Sequence, residues 1–322
     1  MDRIRKKHVT ATIIAVITMG IASASALAGG LLGVEFDDVT FGSSTVINNQ
    51  HWPLLPDGVA TTFIYLGETE DGCVFDKVEA DPANTKMDFA GDFAGITAQV
   101  VVDREWELEM ECDAVLAELA LDEAWEPDAE ELGEWTDDWY AQDDFQNIWY
   151  MGEASRDFGE VEIDEVEVAC PSVDEVTIGT PRGDWPGLGF SDELYLECTG
   201  GSWEAGQPGQ EEGEIIGEPG IVVPSDTPFG DGTGEPLTSG TYWMQEVAEN
   251  AEDMAKVLRL IATLSVEDDD YEICRKVKEW NPFEHGESVE HKWYCKDGPG
   301  LVLIEGIGGG PTEVEVLVLS TP

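Results

Sequence analysis

Along much of the chain apolar and polar residues alternate with a period of two. Residues 105–113 are the clearest case: Trp106, Leu108, Met110 and Cys112 share one face, and the other face carries only acids. That pattern predicts a half-buried strand in an antiparallel sheet, apolar side inward. Residues 160–168 (Val161, Ile163, Val166, Val168) and Glu313 to Val316 repeat it. Further strand-like runs lie at 61–66, 96–103, 146–151, 192–198, 241–247, 257–266, 271–279, 289–295 and 300–305. Many short strands broken by Gly/Asp turns predict an all-β fold, an antiparallel β-sandwich or an open or half barrel.

Two stretches carry helical composition instead. Residues 113–123 are rich in Ala, Leu and Glu, with Asp113 placed to cap, and residues 246–262 are similar, with a short helix starting at Asn250 or Glu252 and running into a strand near Val257. Residues 200–240 hold eleven Gly and five Pro and no Lys or Arg. Their composition is that of a linker, but Trp203, Ile221, Val223 and Phe229 would anchor it. It is read as a long surface loop, with disorder as the alternative.

The N-terminus has the form of a secretory signal. Arg3, Arg5, Lys6 and Lys7 precede an apolar run from Val9 to Ile21, and Ala26-Leu27-Ala28 supplies a small-residue cleavage site. The run falls short of the roughly 20 residues of a membrane span. The expectation is removal of 1–28 by the general secretory route. That leaves one secreted domain over 29–322, periplasmic or extracellular, with no membrane span after cleavage.

Charge then narrows the partners. The chain holds 16 Lys+Arg against 69 Asp+Glu, a net charge of −53, and without residues 1–28 the net charge is −56. Nucleic acid is excluded as a direct partner, because phosphate binding needs a cationic face. Yet 42% hydrophobic and 9% aromatic content is too apolar for a disordered acidic tail.

All six cysteines, Cys73, Cys112, Cys170, Cys198, Cys274 and Cys295, follow the leader. An even count after a secretion signal predicts disulfides. Local order favours Cys73–Cys112, Cys170–Cys198 and Cys274–Cys295 among fifteen possible pairings, the last most strongly because its cysteines sit on strands joined by a turn. No CxxC occurs, so a zinc site is disfavoured.

Several blocks resemble a recurrent pattern in secreted bacterial β-rich proteins with no assigned activity. They include Asp138-Trp139-Tyr140-Ala141-Gln142-Asp143, Asn147 to Glu153, Gly201-Ser202-Trp203-Glu204-Ala205-Gly206, Pro219-Gly220-Ile221 and Ala251 to Ala255. The resemblance implies a β fold and no mechanism. Residues 113–134 and 165–200 stand out against it as insertions.

Candidate chemistry is sparse. From Glu105 to Ser155 there are 18 acids and no base. The first reading is a solvated surface adapted to salt, which screens self-repulsion. The second is Ca²⁺, which takes six to eight oxygens, at the clusters Asp137, Asp138, Asp143, Asp144 and Asp268, Asp269, Asp270. No other cofactor is expected. Glycan binding or glycoside hydrolysis needs carboxylates beside aromatic platforms, and Trp139, Trp149 and Trp203 with Asp138, Glu153 and Glu204 are the candidates. Buried core tryptophans are the competing reading. His51, His285 and His291 remain after cleavage, there is no G-x-S-x-G motif, and a non-enzymatic role is favoured.

The least expected feature is a basic island: Arg275, Lys276, Lys278, Lys292 and Lys296. Alternation would pair it with acids on adjacent strands. The functional alternative is an interface for self-association or for the cell envelope. Together these features predict a secreted, acidic, salt-adapted β-protein with a binding or structural role, a carbohydrate-active protein being the alternative.

Overall fold

The computed structural model describes residues 31–321 apart from 33, 35, 37–38, 43–46, 56–57, 70–71, 159, 164–165, 172–197, 200–201, 208–216, 227, 229–235, 249–252, 267–268, 283–288, 297 and 308–313. The leader, most of the 165–200 insertion, His285, Phe229 and Asp268 therefore lie outside the described residues.

The fold is all-β and antiparallel. The first strands are β1 (Thr61–Glu68), β2 (Cys73–Lys86), β3 (Ala98–Leu108), β4 (Leu132–Gln142) and β5 (Ile148–Asp157). A separate hairpin, β6 (Glu160–Ile163) with β7 (Val166–Ala169), follows, then β8 (Trp203–Glu204) and β9 (Gly217–Val223). The remainder are β10 (Tyr242–Met244), β11 (Glu246–Ala248), β12 (Met254–Val266), β13 (Asp269–Trp280), β14 (Val289–Cys295), β15 (Gly300–Gly306) and β16 (Val314–Thr321). One large sheet runs β10-β12-β13-β14-β15-β16-β1-β2-β3-β4-β5-β9-β11, with β8 added on β5.

The two ends of that order come from one run of chain. β10 pairs with β12 and β11 pairs with β9, with only Gln245 between β10 and β11. The sheet must therefore curl until both ends reach the same segment. The approach is close: a Cβ on Gly220 of β9 would lie 2.3 Å from the Gln245 carbonyl oxygen.

Curling gives the sheet an inner and an outer face, and both are covered. Inside, Phe63, Tyr65, Val78, Ala80 and Val101 join Trp52, Trp149, Tyr150 and Tyr294 in one core. Outside, Ile64, Leu66, Phe75, Trp106 and Leu108 pack under the helix α1 (Cys112–Leu119). The apolar face of 105–112 is thus the outer one, and the inner side of the same strand presents Asp103 and Glu105. Met110 is exposed rather than buried, because the strand ends at Leu108 and Cys112 opens the helix.

The expected helix at 113–123 is α1, preceded by Glu111 at the cap position, with Asp113 inside its first turn, where a negative charge suits the helix dipole. The start of the second expected helix, at Asn250 or Glu252, lies outside the described residues, and no helix follows it among the described ones. Residues 246–248 and 254–266 are strands β11 and β12. There Ala255 and Val257 take inward positions, and strand pairing on both sides overrides helix propensity. The Gly/Pro segment supplies β8 and β9, with Trp203, Ile221 and Val223 buried. The sequence patterns also passed over β2 and β4, whose inner faces mix acids with apolar residues.

Three disulfides join Cys73–Cys112, Cys170–Cys198 and Cys274–Cys295. The first ties α1 to β2, and the last joins residues directly opposite on β13 and β14.

Closure through Gly220 is open to test. Gly220→Ala should lower unfolding stability in denaturant by about 2–3 kcal/mol, the usual cost of forced overpacking. Gly133→Ala, whose Cβ would meet only the Glu105 carbonyl at 3.7 Å, should change it by less than about 0.5 kcal/mol.

Candidate functional site

The curled sheet holds a half-open cavity of 290 Å³ lined from β2 round to β14. Among the described residues nine carboxyl side chains line it, with Lys292 as the one cation. The register explains the convergence. On an antiparallel sheet, directly opposite residues point to the same side. Tyr65 on β1 faces Asp76 on β2, which faces Glu105 on β3, which faces Glu134 on β4. One step along, Asp103 faces Thr136, and beyond it Val101 faces Asp138, which faces Glu153 on β5. Glu246 and Asp253 enter from the segment that ties the sheet ends, and Glu279 and Lys292 from β13 and β14.

Desolvation governs the charges here. Burial pushes Asp138 up to about 7 and Glu246 up to about 8, with neighbouring carboxylates adding to both shifts. Asp76 and Glu153 are driven well above the usual range by burial and by Asp103 and Asp138 respectively. Asp76 and Asp103 are hydrogen-bonded to each other, which requires a proton on one of them. The Tyr150 hydroxyl donates to Asp138 Oδ1 at 2.6 Å and also lies within hydrogen-bond reach of Glu153. A hydroxyl has one proton, so a second carboxyl on it must donate in return. Burial works against the charge of Lys292, but Glu279 and Glu290, at 2.9 and 3.4 Å, hold its pKa well above the ordinary value.

The hydrogen-bond donors of the lining are already engaged. Thr136 Oγ1 donates to Glu134 at 2.9 Å and Gln245 Nε2 to the Val222 carbonyl at 3.4 Å. Tyr140 bonds Asp138, and Lys292 is held by its two glutamates. Asp76 Oδ1, in a residue only 8% exposed, has no hydrogen-bond partner. Tyr140 and Tyr150 stack 5.1 Å apart, and Trp52 packs against the edges of Tyr140 and Tyr294.

Of the residues singled out for glycan binding, Asp138 and Glu153 reach the cavity. The tryptophans do not line it. Trp149 is buried and donates to Asp143 at 2.9 Å, Trp203 is buried behind Tyr150, and Trp139 packs under Lys86. Glu204 pairs with Lys86 at 3.1 Å.

The calcium candidates are scattered. Asp137 accepts a hydrogen bond from the Trp135 indole N–H on the opposite face from Asp138. Asp143 is buried and accepts from the Phe145 and Asn147 amides, the Asn147 side chain and Trp149. Asp144 accepts from Thr40 and Asp270 from Ser265, and Asp269 is exposed at the start of β13. Among the described residues no three His, Cys, Asp or Glu side chains form a metal-holding group.

The basic island is paired within the molecule. Arg275 is fully buried and donates to the Pro224 carbonyl at 2.6 Å and to Asp226 at 2.9 Å. Lys296 and His51 also bond Asp226, and the His51 hydrogen bond leads in holding that carboxylate below its usual range. Lys276 meets Glu305 at 2.7 Å, and Lys278 lies over the Trp280 ring.

The sequence reading missed Asp76, Asp103, Glu105, Glu134, Glu246, Asp253 and Glu279. A signal was present: Asp103 and Glu105 continue the phase of Val101, an inward position.

Comparison with family models and with curated proteins finds no match. Among solved structures, a "putative lipoprotein" from Parabacteroides distasonis is 8% identical, with a TM-score of 0.31 over 83% of this chain and 98% of its own. That likeness is too distant to bear on function. No helix of the described residues is long and apolar enough to cross a membrane.

The raised carboxyls set a direction for stability. Asp76, Asp138, Glu153 and Glu246 hold protons more tightly folded than unfolded. Stability therefore falls as pH rises from the usual carboxylate range through the folded values. Melting temperature at low salt should drop by several degrees between about pH 5 and about pH 8.5. Glu246→Gln should flatten the upper part of that decline, as read by calorimetry across pH.

Proposed function

We propose that this is an exported binding protein that takes a positively charged small molecule into the interior of its curled sheet. The observation that carries the reading is the imbalance in the cavity wall: nine carboxylates, one committed lysine, and hydrogen-bond donors already in use. A ligand that supplies N–H donors with positive charge answers both deficits. Buried tyrosine faces beside the acids suit a cation as well. Export is supported by the leader-like N-terminus and by the three disulfides, which persist in oxidising compartments.

Two other readings fit the geometry less well. Glycoside hydrolysis needs one ionised and one protonated carboxyl. Here burial drives Asp138 and Glu153 upward together, and the aromatic neighbours in the wall are tyrosines rather than tryptophans. For Ca²⁺ the carboxylates are spread round the wall instead of converging on one point. Exposed acids such as Glu107, Glu109 and Asp128 fit a surface screened by salt, and this is a separate property from the cavity.

Thermal unfolding at fixed ionic strength tests the proposal. Spermidine at a hundredfold excess over its Kd should raise the melting temperature by about 5 °C, and a neutral oligosaccharide should leave it unchanged. A shift with the oligosaccharide alone, with CaCl₂ alone, or with no amine would contradict the reading.

A further inference from the structure

Two acidic walls face the cavity with β4 between them. One is formed by Asp76 on β2 with Asp103 and Glu105 on β3, and the other by Glu153 on β5 with Glu246 on β11. The first wall has a specific vacancy in its hydrogen bonding. Asp76 is more than nine-tenths buried, its Oδ1 meets no donor, and it belongs to the cavity lining. A buried carboxyl oxygen without a donor is an unfavourable arrangement that persists where something else supplies the donor. The described side chains of the lining are committed elsewhere: Lys292 is held by Glu279 and Glu290, and the Tyr150 hydroxyl lies between Asp138 and Glu153.

We infer that the cavity is built for an aliphatic amine carrying at least two positive charges, one ammonium seated on the Asp76–Asp103 pair and another on the Glu153–Glu246 wall. This rests on the binding role proposed above and names its ligand class. A single charge would neutralise one wall and leave the other facing its own acids. A bare ion would leave most of a 290 Å³ space unfilled. A chain of methylenes can pass Tyr140 and Tyr150, which belong to the lining, while its ends reach the acids.

Calorimetric titration of the intact, disulfide-bonded protein with putrescine and with butylamine, which has the same carbon count and one charge fewer, is the test. Two linked contacts should make putrescine bind at least about tenfold more tightly than butylamine. That ratio should fall to about two in Asp76→Asn and in Asp103→Asn, two near-isosteric variants of the same wall whose folding is checked by thermal melting. If both amines bind equally well to the unaltered protein, the two-charge assignment is overturned while the cationic binding role stands. If the ratio survives in both variants, the Asp76–Asp103 seat is overturned. If neither amine binds, the inference and the binding role fall together.

Discussion

Everything in this molecule depends on the run Tyr242 to Ala248 serving both ends of one sheet. Pairing with β12 on one side and with β9 on the other leaves the intervening strands no choice but to curve. Curvature turns a flat alternation of side chains into an interior and an exterior. Positions that would be solvated on an open sheet become a wall, and the Gly220 backbone lies against the Gln245 carbonyl where any Cβ would collide. The outer face is then closed over β1 to β4 by α1, which the Cys73–Cys112 bond fastens in place.

The large negative charge divides into populations with opposite physics. Asp226 is surrounded by Arg275, Lys296 and His51, which keep it ionised and let it clamp three strands and loops together. For the cavity acids burial outweighs such partners. Desolvation dominates them, so they hold protons or share them through Asp103 and Tyr150. Exposed acids on the outside need neither device, since water and salt screen them. Net charge alone merges these populations, and the structure separates them by the face each residue occupies.

That face is what the sequence conveyed least well. The β character, the three disulfide pairings and most strands from β12 to β16 are legible as alternation and local cysteine order, because those signals are local. The orientation of 105–112 is not local. Trp106 and Leu108 look like a core face, and they are one, but the core they join lies under α1 on the outside. The stretch just before Val257 read as helix in composition, yet its described part from Met254 is strand, because β10 and β13 pair with it. Asp76, Glu246 and Glu279 are far apart in sequence, and only closure of the sheet brings them to one space. The basic island was visible; Lys276 and Lys292 meet acids of nearby strands, whereas Lys278 lies over Trp280. That its arginine is fully buried on Asp226 depends on a loop from another part of the chain.

Site-resolved titration of the side-chain carboxyls by ¹³C NMR addresses the acidic interior most directly. Asp138 and Glu246 should titrate near 7 and near 8 in the free protein, and both should move down when a cationic amine is bound, because a nearby positive charge favours the ionised form. If all the cavity carboxyls titrate below about 5, as solvated groups do, the interior is open to water and the account of a desolvated, donor-poor binding cavity is wrong.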